Sequence, residues 1–195
     1  MSPRAPLPAR ILIPVANPAT AEDLVRIGAA LMDPRTGELT ALGIVEVPED
    51  VALSDGATQA RQARRLLQKV LDYAPEGTRI RPLVRIGRRA AEGIVETARE
   101  IDADLLIFGW GGRAGGKPGT AIFSPTIDAV VRESPCDIAV VKQRPFGEVR
   151  RILVPVRGGP HAELALEFAD AIARHHDARI VVLHVIPPGV TGAVR

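Results

Sequence analysis

The stretch RILIPVANPATAE, Arg10 to Glu22, returns as RILVPVRGGPHAE, Arg151 to Glu163, at an offset of 141 residues. The same offset carries Leu42 onto Leu183 and Ile44 onto Val185 with no gap, so a strand, a helix and a second strand are all repeated. Ile11-Leu12-Ile13-Pro14-Val15 is a short apolar run of the kind found in a strand buried on both faces. Asn17-Pro18-Ala19-Thr20 then supplies turn and capping residues, and Leu24, Ile27, Ala30 and Leu31 recur at helical spacing until Asp33-Pro34 ends the helix.

Outward from this segment the alternation continues. Leu39 to Val47 reads as a strand, Pro48 to Gly56 as a loop, and Ala57 to Tyr73 as a helix whose polar face carries Arg61, Arg64, Arg65 and Lys69. Thr78 to Ile86 reads as a third strand, Arg88 to Ile101 as a third helix, and Asp104 to Gly109 as a fourth strand ending on glycine. A glycine-rich loop follows, then a helix over Thr126 to Glu133 and a fifth apolar strand over Asp137 to Val141. Strands alternating with helices imply right-handed βαβ units and an open parallel sheet with helices on both faces, an α/β fold. The repeat divides the chain into a tail (1–9), one complete domain (10–147) and a partial second repeat (148–195) expected to be truncated after strand, helix and strand.

Composition narrows the function. Of 195 residues 46% are hydrophobic and 25% charged, a globular balance that excludes disordered, collagenous and coiled-coil classes. Aromatic residues are 3%, too few for the stacking platforms of single-strand nucleic-acid binders. The 25 Lys+Arg set against 23 Asp+Glu leave a net charge of +2, scattered along the chain, so no nucleic-acid partner is expected. One cysteine, Cys136, rules out an intramolecular disulfide and fits a reducing compartment, so the expected location is cytoplasmic. No run approaches the roughly 18–20 apolar residues of a membrane span, and no metal site is expected, because His161, His175, His176 and His184 lack a third partner at ligand spacing.

In order and spacing, ILIPVANP (11–18), VRIGRRAAEGIVETAREIDADLLIFG (84–109) and ESPCDIAVVK (133–142) resemble the universal stress protein family. That resemblance implies a Rossmann-like, adenine nucleotide alpha hydrolase-like domain with a five-stranded sheet in the order 3-2-1-4-5. It also implies adenine nucleotide (ATP or AMP) binding in some members, and dimerisation through the fifth strand. The wording of the second repeat looks most like the tandem modules found alone or C-terminal to amino-acid permeases and cation antiporters, so a transporter partner is compatible with a chain that has no span of its own.

The family's crevice lies outside the carboxyl ends of the strands, where connections reverse direction. The resemblance places Pro14, Val15, Ala16, Asn17, Val45, Gly87, Gly109, Gly112 and Ser124 there. Nucleotide-binding members carry an aspartate just after the first strand; here Ala16 and, in the second repeat, Arg157 take its place and offer no carboxylate. Gly109 and Gly112 keep a Gly-x-x-Gly spacing that lets backbone amides approach phosphate. The family's closing Gly-Ser falls on Ser124-Pro125, where proline has no N–H to donate and Ser124 is expected to cap the next helix with Pro125 at its first position.

Other features stop short of chemistry. Gly111, Gly116 and Lys117 begin a Walker A pattern, but Pro118 stands where Ser or Thr should hold magnesium, and no helix starts there. Lys117 and Arg113 read as solvated loop cations that can also reach a phosphate. Cys136 reads as a packed thiol, and Asp102 and Asp104 as solvated turn residues rather than paired catalytic acids. No nucleophile, base and orienter set is present, so no catalysis is expected. The leading reading is a regulatory binding module with a degenerate adenine nucleotide site; the alternatives are an ATP hydrolase using the 109–120 loop and a structural dimerisation module without ligand. A homodimer is expected through the edge strand Asp137 to Val141, and the strands Ile152 to Val156 and Ile180 to Ile186 are expected to dock on another chain or on the first unit's sheet.

Overall fold

The structure, a computed structural model, describes residues 7–16, 21–110, 123–142 and 148–184. They form two compact units. The first contains β1 (Arg10–Pro14), α1 (Ala21–Leu31), β2 (Glu38–Glu46), a single 3-10 turn (Leu53–Gly56), α2 (Ala57–Leu71), β3 (Ile80–Gly87), α3 (Ala90–Glu100), β4 (Leu105–Trp110), α4 (Pro125–Glu133) and β5 (Asp137–Lys142). The second contains β6 (Arg151–Val156), α5 (Pro160–His176) and β7 (Arg179–His184).

The first unit is a five-stranded sheet in the order β3-β2-β1-β4-β5, with every neighbouring pair parallel. Central strands need apolar residues on both faces, and Ile11, Leu12, Ile13, Leu105, Leu106 and Ile107 are all fully buried. Strand parity assigns the faces. Leu12, Leu42, Leu106 and Phe108 pack against Ile94, Val95 and Ala98 of α3 and Ile127 and Val130 of α4. Residues of the other parity meet α1 and α2: a Cβ on Gly28 would stand 3.2 Å from Ile13 Cδ1 and Leu39 Cδ2, so glycine lets α1 lie close on the sheet.

Local chemistry ends the elements where their residues dictate. Ser124 is extended and accepts a hydrogen bond from Ile127 N at 3.3 Å, with Pro125 opening α4, as its sequence position indicates. Asp33 Oδ1 accepts from Arg35 N (2.7 Å) and Thr36 N (2.9 Å) and closes the turn between α1 and β2. These backbone donors, Thr36 first, hold the Asp33 carboxyl below its ordinary pKa.

Asp104 is more than the solvated turn residue its surroundings suggest. Its Oδ2 accepts from Ala9 N (2.9 Å) and Arg10 N (2.8 Å), fastening the start of β1 to the start of β4. Asp102, in a left-handed conformation at φ 46°, pairs with Arg10 at 3.4 Å. Both carboxylates sit at the amino ends of the strands.

In the second unit β6 and β7 pair in parallel, with Leu153 opposite Val181 and Pro155 opposite Leu183. In the alternate row Val154 is buried at 4% exposure, while its partner Val182 is 52% exposed. Leu153, Val181 and Leu183 form the open row, exposed at 61%, 44% and 44%.

Candidate functional site

At the carboxyl ends of the central strands lies a cavity of about 580 Å³. Pro14, Val15 and Ala16 bring β1 to it, Phe108 and Gly109 bring β4, and Leu42, Ile44 and Glu46 bring the inward row of β2. Two helices start at its wall: Ala90 is the first residue of α3, and Ser124 is the cap of α4, with Thr126 and Ile127 behind it. The first N–H groups of a helix lack intrahelical partners and carry the positive end of its dipole, so the start of α4 favours an anion on its side of the cavity.

Glu46 is the ionisable group among the described lining residues. Its Oε1 accepts the Ala90 N–H at 2.7 Å, so a strand-end carboxylate caps a helix whose own N-cap, Arg89, makes no side-chain cap bond. The segment after Glu46 is pinned as well: Arg88 Nη1 donates to the carbonyl oxygens of Val47 (3.2 Å), Val51 (2.8 Å) and Pro48. A carboxylate without an adjacent base, and a serine committed to a cap, provide binding groups rather than an attacking nucleophile.

The structure brings Pro14, Val15, Ala16, Gly109 and Ser124 together on the cavity. Val45 and Gly87 are not among its lining residues. Val45 belongs to the opposite parity from Ile44 and Glu46, near the 3-10 turn, where a Cβ on Gly56 would stand 3.6 Å from its Cγ1. Gly87 closes β3, pairs with Glu46 in register and accepts the Val47 N–H at 2.9 Å. Asn17 and Gly112, together with Gly111, Arg113, Gly116, Lys117 and Pro118 of the Walker-like pattern, lie outside the described residues.

Sequence reasoning missed Glu46, Ile44, Phe108 and Ala90. The available signal was parity: Leu42, Ile44 and Glu46 share one face of β2, and the last of them is a carboxylate at the strand end where ligands bind.

Cys136 lies away from this cavity, half-buried against the α3 and α4 core. Burial pushes its thiol above the ordinary value, only partly offset by the Ser134 hydroxyl, whose Oγ lies 3.8 Å from Cys136 Sγ. A raised pKa leaves less thiolate at neutral pH than an exposed cysteine has. Labelling by an aromatic disulfide reagent is therefore expected to be several-fold slower at pH 7 than that of a model thiol, and to accelerate up to a more alkaline pH. A labelling rate at pH 7 equal to that of the model thiol would contradict this environment. Among the described residues no group of three His, Cys, Asp or Glu is placed to hold a metal, and no helix is long and apolar enough to cross a membrane.

Comparison with known proteins bears on this geometry. The chain is 32% identical over 185 residues to the Na(+)/H(+) antiporter NhaS5 of Synechocystis sp.. The alignment covers 91% of this chain and 26% of the antiporter, so the chain spans about a quarter of that relative. A universal stress protein from Archaeoglobus fulgidus superposes with a TM-score of 0.52 at 16% identity, covering 68% of this chain and 98% of that one. The structure of the universal stress protein from Archaeoglobus fulgidus in complex with dAMP superposes at 0.50 with 14% identity, covering 68% and 97%. At these identities the likeness is one of fold. The model of the universal stress protein family matches residues 9–142 and 148–195, both copies of the repeat, and the chain belongs to that family.

Proposed function

We propose that this protein is a regulatory binding module that takes an adenine nucleotide, ATP or AMP, in the cavity at the carboxyl ends of β1 and β4. The observation that carries the reading is the start of α4 beside Gly109 on that cavity, facing apolar walls across it. Apolar walls from Leu42, Ile44 and Ile94 suit a base, and the start of α4 suits a phosphate. The archaeal relative held with dAMP supports the same ligand class. Similarity to an antiporter supports a role as the cytoplasmic regulatory part of a cation transporter, with occupancy of the cavity as the signal.

A second copy of the chain is the proposed partner. β5 is an edge strand of the first sheet, and β6 and β7 present an open row of Leu153, Val181 and Leu183, both features that association covers.

The chain's single tryptophan, Trp110, directly follows Gly109 and stacks edge-on with Phe123 at 5.6 Å, so its emission reports on the cavity's rim. Calorimetry and Trp110 fluorescence with ATP, ADP and AMP are expected to show saturable binding, weakened about tenfold or more by Gly109→Val, whose side chain enters the space a phosphate would use. If no adenine nucleotide produces saturable heat or quenching, nucleotide binding is ruled out and the structural dimer reading takes its place. Magnesium-dependent ATP turnover abolished by Lys117→Ala would instead establish a hydrolase.

A further inference from the structure

Ala16, after β1, brings no charge to the cavity, yet the cavity has a carboxylate one strand away. We infer that Glu46, at the end of β2, is the anchor for the ligand's ribose, accepting hydrogen bonds from its vicinal hydroxyls and setting a preference for ribonucleotides. The inference rests on the nucleotide reading above and names which group of the ligand meets which group of the protein.

Three observations carry it. Glu46 lines the cavity, and its Oε1 is held by the Ala90 N–H at 2.7 Å, which fixes the carboxylate at the rim instead of leaving it to swing in solvent. Among the described residues its other oxygen has no hydrogen-bond partner. Arg88, by gripping the carbonyls of Val47, Pro48 and Val51, prevents the following segment from carrying Glu46 away.

Charge then assigns the ends of the ligand. A phosphate is drawn to Gly109 and the start of α4 and is repelled by Glu46. β2 and β4 flank β1, so these two ends are separated by two strand spacings, about 10 Å. What reaches Glu46 must donate, because an ionised carboxylate only accepts. The base's exocyclic amine sits next to a ring nitrogen that is itself an acceptor and would face the same oxygen lone pairs. The ribose diol offers two O–H donors side by side with no such conflict. A carboxylate receiving ribose hydroxyls at the crevice of a parallel sheet is also the arrangement by which dinucleotide-binding folds hold adenosine.

The test compares AMP with 2′,3′-dideoxy-AMP, which lacks both hydroxyls, by calorimetry on the wild type, Glu46→Ala and Glu46→Gln. The wild type is expected to bind AMP about tenfold or more tightly than the dideoxy analogue, the size of one or two hydrogen bonds to a charged acceptor. In Glu46→Ala the two affinities converge. Glu46→Gln keeps an oxygen for Ala90 N, and so preserves the α3 cap should the alanine variant lose stability, while the preference falls several-fold. A wild type that binds both nucleotides equally, or an undiminished preference in a folded Glu46→Ala or Glu46→Gln protein, overturns the assignment to Glu46 and leaves nucleotide binding standing. Absence of binding by either nucleotide to the wild type overturns the nucleotide reading and this inference with it.

Discussion

Leu12→Ala lowers the stability of the first unit by about 3 kcal/mol, whereas Leu153→Ala, the same substitution one repeat later, changes the stability of its own unit by no more than about 0.5 kcal/mol. The two leucines occupy equivalent places in RILIPV and RILVPV. Leu12 is fully buried in the cluster that includes Leu42, Ile94, Leu106 and Ile127, so truncation leaves a cavity that its neighbours only partly fill. Leu153 is 61% exposed, and truncating it removes little contact within its own unit. Urea unfolding followed by Trp110 emission reads the first unit, where that tryptophan resides, and amide hydrogen exchange across β6, α5 and β7 reads the second. A loss of exchange protection there in Leu153→Ala as large, in free energy, as the loss Leu12→Ala causes in the first unit would contradict the contrast. With a second copy covering the open row, as proposed, the double variant Leu153→Ser and Leu183→Ser shifts the dimer toward monomer in sedimentation. An unchanged sedimentation coefficient would exclude that row from the interface.

Gly37→Ala is expected to cost about 3 kcal/mol, near the upper end for an overpacking change, although it adds one methyl group. Gly37 closes the turn between α1 and β2, donating its N–H to the Asp33 carbonyl at 2.9 Å and receiving Arg79 Nε on its own carbonyl at 3.0 Å. A Cβ there would stand 2.8 Å from Met32 Sδ and would overlap Met32 Cγ and the Asp33 carbonyl oxygen more severely. The methionine can rotate away; the backbone oxygen cannot move without opening the Asp33 turn that delivers the chain to β2. The measurement is the unfolding midpoint of Gly37→Ala beside Gly77→Ala. Gly77 has φ 80° but nothing within 4 Å of its Cβ position, so its cost is one of conformation alone. A Gly37→Ala protein as stable as the wild type would show that the turn accommodates a side chain by repacking.

Much of this protein was legible before any coordinates, because its decisive signals are local. The apolar run Ile11 to Val15, the helical spacing of Leu24, Ile27 and Leu31, and the Ser124-Pro125 cap each depend on contacts within a few residues, and each forms where its spacing places it. The repeat extended that reading to the second unit. Ala16, which the resemblance assigns to the crevice, lies on the cavity wall.

Other features depended on partners distant in sequence. Asp104 looks like an ordinary turn residue until β1 arrives beside β4 and presents the N–H groups of Ala9 and Arg10, 95 and 94 residues away. Glu46 looks like a strand-end charge until Ala90, 44 residues on, begins a helix against it. Val45 and Gly87, placed at the crevice by resemblance, stand beside it because strand parity buries one on the opposite face of the sheet and register commits the other to backbone pairing.

The sequence by itself determined the alternation of elements, the parallel sheet and the family, since hydrophobic period and turn chemistry act over a few residues and survive in both copies of the repeat. Only the tertiary structure decided which carboxylate faces the cavity and which copy of an identical leucine is buried. Those outcomes depend on which helix covers which face of a sheet, a condition that no local stretch of chain contains.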